Sequence, residues 1–193
     1  MAKKFLLILL ITFTVNFCNA QFYKSFLPSP EFTSALEKIV VDFRLNYETI
    51  KGDSLSKQGD VETYASTVKL PGAEDCIIYY FNSKVDTTAS WQAVMYRGDN
   101  YKEASRTYQN VFRLIKKSNI RWIDRSSVGF TGELEEPRED LRFAASTLHF
   151  ELEDHRYDKF IAEVELVSSY NGWEVHLNLH TKKPDREGFQ GNY

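Results

Sequence analysis

Histidine and carboxylate side chains recur in the C-terminal third of the chain, with His149, Glu163, Glu165, His176 and His180 falling in three strand-like runs. Side chains two apart on a strand share a face, so these residues can project together from one side of a sheet. Imidazole beside carboxylate can bind a zinc-like ion or pass a proton. The candidate metal or proton-transfer set is His149, Glu163 and His180, with Thr147 abreast of Glu163. His176 stands four residues from His180, about 13 Å along an extended strand, too far to share one small ion. The plainer reading is a solvated face with a Glu–His cross-strand pair worth about a few tenths of a kcal/mol, and a motif this short favours it.

A second candidate is the polar run Asp86-Thr87-Thr88-Ala89-Ser90-Trp91-Gln92. Asp86, Thr88, Ser90 and Gln92 could line a small-molecule site, with Trp91 as a stacking wall. Tyr79 and Phe81 join the set because the run Cys76 to Phe81 is apolar on both alternating faces, which calls for a covering layer or a ligand. Strand structure alone also accounts for part of the run, since Ala89, Trp91, Ala93 and Met95 alternate as a core face would.

Other chemistry is weaker. Cys76 has apolar neighbours and no Cys-x-x-Cys partner, which favours a buried inert thiol. Five acids between Glu133 and Asp140 lack the spacing of a calcium loop and read as an exposed turn. Lys102, Arg106, Arg113, Lys116 and Lys117 fall on a helix and read as its solvated face. Phosphate-binding loops, zinc-protease helices and nucleophile elbows are absent, and no cofactor is implied.

The elements that must position these residues are legible in part. Ser29-Pro30-Glu31 reads as a helix start, and Phe32, Leu36, Ile39, Val40, Phe43, Tyr47 and Ile50 continue one apolar stripe to a cap at Gly52. A polar loop from Asp53 to Asp60 precedes strand-like runs at 61–70, 76–81 and 87–96. Asn100-x-x-Glu103 opens a second helix whose Ala104, Tyr108, Val111, Phe112 and Ile115 share a face. Four further strand-like runs follow at 127–135, 141–152, 158–168 and 173–181.

Two registers follow from turn chemistry. Asn171-Gly172 as a two-residue turn pairs Tyr170 with Trp173, Leu166 with Leu177 and Val164 with Leu179. A turn at Asp154-His155-Arg156 sets Phe150 against Phe160, Leu148 against Ala162 and Glu151 against Lys159. The expected fold is α+β, a single domain with a six- to seven-stranded antiparallel sheet and two amphipathic helices on one face, in the order α-β-β-β-α-β-β-β-β.

Length and composition complete the reading. The chain has 193 residues, 42% hydrophobic and 15% aromatic, with a formal charge of −3. One domain fits that length, and the charge offers nucleic acid no general attraction. Lys3 and Lys4, the apolar run from Phe5 to Val15, and small residues before Gln21 form a signal-peptide pattern over residues 1–20, cleaved between Ala20 and Gln21. Thr12, Thr14 and Asn16 interrupt the run, which disfavours a membrane anchor. Bulky Phe17 disfavours lipidation at Cys18.

Cleavage would leave 173 residues of charge −5 with Cys76 as the one cysteine, and no stretch apolar enough to cross a bilayer. Residues 21–183 form the expected domain, and residues 184–193, without periodic pattern, a frayed or disordered tail. The pattern resembles that of a periplasmic or secreted protein of a Gram-negative bacterium. The expected function is non-catalytic binding or accessory work in the cell envelope, with an envelope protein or a small apolar ligand as partner. A small envelope hydrolase built on the His/Glu set, and a structural protein assembling through sheet edges, are the alternatives.

Overall fold

The computed structural model describes residues 27–82, 87–122 and 125–181. The leader with its Ala20–Gln21 junction, Asp86, and the tail from residue 184 lie outside the described residues. Helix α1 spans Pro30–Asp42, and the Ser29 hydroxyl accepts from Phe32 N at 3.2 Å. An N-cap of this kind is worth about 1 kcal/mol. The stripe Phe32, Leu36, Ile39 and Val40 is fully buried.

The apolar spacing continues to Ile50, but the helix does not. Short 3-10 turns follow at Phe43–Leu45 and Glu48–Ile50, with Asn46 and Tyr47 between them at φ 51° and 59°. The buried Asp42 carboxylate accepts from Thr49 N at 3.1 Å, from Ile50 N at 3.2 Å and from the Thr49 hydroxyl, which folds the chain back over the helix end. Periodicity therefore located the buried side chains correctly while misplacing the helix end. Gly52 is not the cap. It lies in the first strand, where a Cβ would come within 2.9 Å of Ala65 O.

Strands β1 (Lys51–Gln58), β2 (Val61–Ser66), β3 (Asp75–Asn82) and β4 (Thr87–Gly98) form an antiparallel meander. Helix α2 (Tyr101–Lys116) follows, its N-terminus capped by Asn100 Oδ1, which accepts from Lys102 N at 3.0 Å and Glu103 N at 3.3 Å. After a small ladder of β5 (Ile120–Arg121) with β6 (Ser127–Val128) comes a second meander. It comprises β7 (Phe130–Gly132), β8 (Phe143–Phe150), β9 (Phe160–Ser169) and β10 (Gly172–Thr181).

The two meanders join at their fourth strands into one eight-stranded sheet, ordered β1-β2-β3-β4-β10-β9-β8-β7. The α+β class holds, with eight strands in place of six or seven. The additional strand is β1, which covers most of the run read as a polar loop. It is an edge strand, mostly exposed and broken by two irregularities in its pairing, so no apolar period marks it.

One register is as expected and one is displaced. Leu148 pairs with Ala162 and Thr147 with Glu163. Between β9 and β10, however, Leu166 pairs with Val175 and Val164 with Leu177, two residues from the expected register. The turn residues are Tyr170 and Asn171, and Gly172, at φ 119°, already pairs with Ser169. A Cβ on Gly172 would lie 2.4 Å from Gly98 O, so the close approach of β4 requires glycine there.

Both helix stripes and the inner sheet face share one hydrophobic core. Helix α2 packs on β4, β9 and β10, while α1 contacts β5. Much of the aromatic excess closes one end of that core. Phe43, Phe150, Tyr157 and Phe160 stand with ring centroids 4.7–5.9 Å apart, and the Tyr157 hydroxyl donates to Val40 O at 3.0 Å. Aromatic pairs of this kind add about 0.5–1.5 kcal/mol each beyond the area they bury.

Candidate functional site

The helices cover one face of the sheet, and strand alternation decides which side chains meet the other. On β3, Cys76, Ile78 and Tyr80 point into the core, whereas Ile77 and Tyr79 are half-buried and Phe81 is 44% exposed on the open face. On β4, Ala89, Trp91 and Ala93 point inward, leaving Thr88, Ser90 and Gln92 outward. Trp91 is 0% exposed, and its Nε1 donates to the Ser66 hydroxyl at 3.0 Å. The expected stacking wall is thus a core residue, because it stands one alternation out of phase with its polar neighbours.

The remaining described members of that set, Tyr79, Phe81, Thr88, Ser90 and Gln92, share the open face. Register places Phe81 opposite Thr88, Tyr79 opposite Ser90 and Ile77 opposite Gln92. Beside them the open face of β1, β2 and β3 forms a trough of about 500 Å³, lined by Leu55, Ser56, Gln58, Val61, Thr63, Ile77 and Tyr79. That volume suits a small ligand or part of a longer one. A second hollow of about 740 Å³, between the β5–β6 hairpin and residues 151–156, is lined mostly by polar groups. There Arg156 holds the Asp154 carboxyl down at about 2 through a 2.5 Å ion pair.

Val61 and Thr63 of the trough wall lie on an expected strand, whereas Leu55, Ser56 and Gln58 lie on β1, in the run that reads as a polar loop in the sequence. A signal was present: Gly59-Asp60, the two-residue connection that pairs Gln58 with Val61, is a hairpin dipeptide.

A continuous polar chain crosses the sheet beside the trough. The Tyr79 hydroxyl donates to Gln92 Oε1 at 3.2 Å, Gln92 Nε2 to Asn178 Oδ1 at 2.8 Å, and Asn178 Nδ2 to Glu165 Oε2 at 2.6 Å. His176 Nε2 donates to Glu174 Oε2 at 2.8 Å, with its Nδ1 4.0 Å from Glu165. His180 Nε2 lies 3.2 Å from Glu163 Oε2. These imidazole and carboxylate side chains are 17–27% exposed.

The displaced β9–β10 register rearranges the proposed metal set. Asn178, not His180, stands opposite Glu163, and His180 moves to the rung of Ile161 and His149. Glu163 and His180 still touch diagonally, but His149 lies two strand spacings from His180, about 10 Å, beyond the reach of one small ion. Among the described residues no group of three or more His, Cys, Asp and Glu side chains is disposed to hold a metal ion. The trio His149, Glu163 and His180 is therefore not assembled as a centre.

Cys76 is buried, and burial pushes its thiol up from the usual range, away from the reactive thiolate. Leu70 N donates to its sulfur at 3.4 Å. Among the described residues no helix is long and apolar enough to cross a membrane. No protein-family model, curated protein or solved structure matches the chain.

Proposed function

We propose that the chain is an exported, non-catalytic binding protein of the cell envelope whose ligand lies on the open sheet face over β1–β3. The observation that carries this reading is β3 itself. Its inner residues are committed to the core, while Ile77, Tyr79 and Phe81 hold apolar surface beside a preformed trough. Contiguous exposed apolar surface is kept at a cost in solubility, and an interaction partner is the usual reason for keeping it. The amide, hydroxyl and carboxylate chain alongside fixes orientation, as the few polar groups of a mostly apolar site do.

Export rests on the leader pattern of residues 1–20, which precedes this domain in the sequence. A binding role, in place of hydrolysis, agrees with the dispersal of His149 and His180 and with a thiol turned into the core. Titration with N-phenyl-1-naphthylamine, a neutral apolar fluorophore, tests the reading. Saturable enhancement at one site per chain is expected. A linear, unsaturated response would remove the apolar-ligand reading.

A further inference from the structure

The sequence of groups across the open face runs from apolar to acidic. Leu55, Val61, Ile77 and Tyr79 line the trough, Gln92 and Asn178 follow on β4 and β10, and Glu163, Glu165 and Glu174 stand on β9 and β10. Two other half-buried carboxylates have fixed cationic partners, Glu62 with Lys57 at 2.5 Å and Asp154 with Arg156 at 2.5 Å, whereas buried Asp42 is satisfied by backbone and hydroxyl donors. Glu163 and Glu165 meet imidazole and amide groups instead, and Glu174 meets His176 and stands opposite Arg97 across β10 and β4.

Arg97, the fixed cation on this part of the face among the described residues, is held by Asp75 at 2.6 Å. The four carboxylates Asp75, Glu163, Glu165 and Glu174 outnumber it, and they outnumber the cations even when His176 and His180 are both protonated. Partly desolvated carboxylates without a fixed counter-charge are costly, and a bound cation relieves the cost. The face also repels a second copy of itself, because like charge would meet like.

From this complementarity we infer that the ligand is an elongated amphiphilic cation, an alkyl or aryl amine. Its apolar body lies over Ile77 and Tyr79, and its ammonium group reaches the carboxylates of β9 and β10. The separation is two to three strand spacings, roughly 10–14 Å, which an extended medium-length chain spans. This assignment rests on the open face being the ligand site and adds the charge of the ligand to it.

Calorimetric titration with n-decylamine, decanoate and n-decyl maltoside, all below their micellar concentrations, separates the two claims. Decylamine is expected to bind about tenfold more tightly than the maltoside, with decanoate weakest. In the triple variant Glu163→Gln, Glu165→Gln, Glu174→Gln, decylamine should fall to the level of the maltoside while the maltoside is unchanged. If the triple variant loses maltoside binding as well, the single variants Glu165→Gln and Glu174→Gln are read instead. About threefold weaker decylamine binding in each is then expected, and no weakening overturns the inference. Equal affinity for all three amphiphiles also overturns it and leaves the open-face site standing. Failure of all three to bind overturns both claims, and a dimer in sedimentation would then identify a second copy as the occupant.

Discussion

Trp91→Ala is expected to lower the unfolding free energy by about 3–5 kcal/mol, the cost of emptying a large aromatic site in a packed core. Trp91 has no solvent exposure, and its indole N–H is satisfied by the Ser66 hydroxyl at 3.0 Å, itself buried. The substitution therefore removes ring volume and a hydrogen-bond donor together. A domain of this size has roughly 5–15 kcal/mol in total, so the variant should melt well below the parent in urea or heat. Trp91→Phe keeps most of the volume and should lose about 1–2 kcal/mol, separating the hydrogen bond from the packing. The opposite pattern, unchanged melting with lost ligand binding, would put Trp91 in the site after all.

Ile77→Asp should do the reverse. Ile77 is half-buried on the open face, opposite Ala65 on β2 and Gln92 on β4, and its side chain belongs to the trough rather than the core. Loss of β-propensity limits the expected change in stability to about 1 kcal/mol. A carboxylate in the trough removes apolar contact and must be desolvated when an apolar ligand arrives. N-phenyl-1-naphthylamine should consequently bind tenfold to a hundredfold more weakly, about 1.4–2.8 kcal/mol. Fluorescence titration beside a urea melt reads both quantities. A variant that binds as the parent does would detach the trough from function.

The two substitutions lie on opposite faces, and alternation in the sequence offers Trp91 a core face while leaving Ile77, in a run apolar on both faces, unassigned. Trp91 was nonetheless ambiguous there, because a polar neighbourhood in sequence is not a polar neighbourhood in space. Thr88, Ser90 and Gln92 flank it along the chain and turn away from it across the sheet. The Leu148–Ala162 register was readable because any odd slip would have put Lys159 and Ile161 inward. Between β9 and β10 the displacement is two residues, which keeps the same side chains facing inward and so leaves the hydrophobic pattern unchanged. Only the turn decides that register, and the turn is Tyr170-Asn171, with glycine placed for the approach of Gly98.

Strand β1 was invisible for a different reason. Pattern reports burial, and Asp53 to Gln58 bury almost nothing. The end of α1 was misplaced because Phe43, Tyr47 and Ile50 keep helical spacing while Asp42 redirects the backbone. Much of the polar half of the site, by contrast, was already suspected from residue type. The structure sets Tyr79 and Gln92 in one chain of contacts with Asn178 and Glu165, and Glu163 with His180 in a separate pair. What residue type could not supply was the rung on which each stands, and that rung separates His149 from the other two members of its proposed centre.

Ile77 and Ile78 are adjacent in sequence and face opposite sides of the sheet, so their methyl groups form a matched pair of reporters. Methyl NMR of isotopically labelled isoleucine during titration with N-phenyl-1-naphthylamine measures both at once. A saturating ring-current shift at Ile77, with Ile78 unmoved, is the predicted result. A shift at Ile78 with Ile77 silent would place the ligand on the helix side and contradict the open-face site.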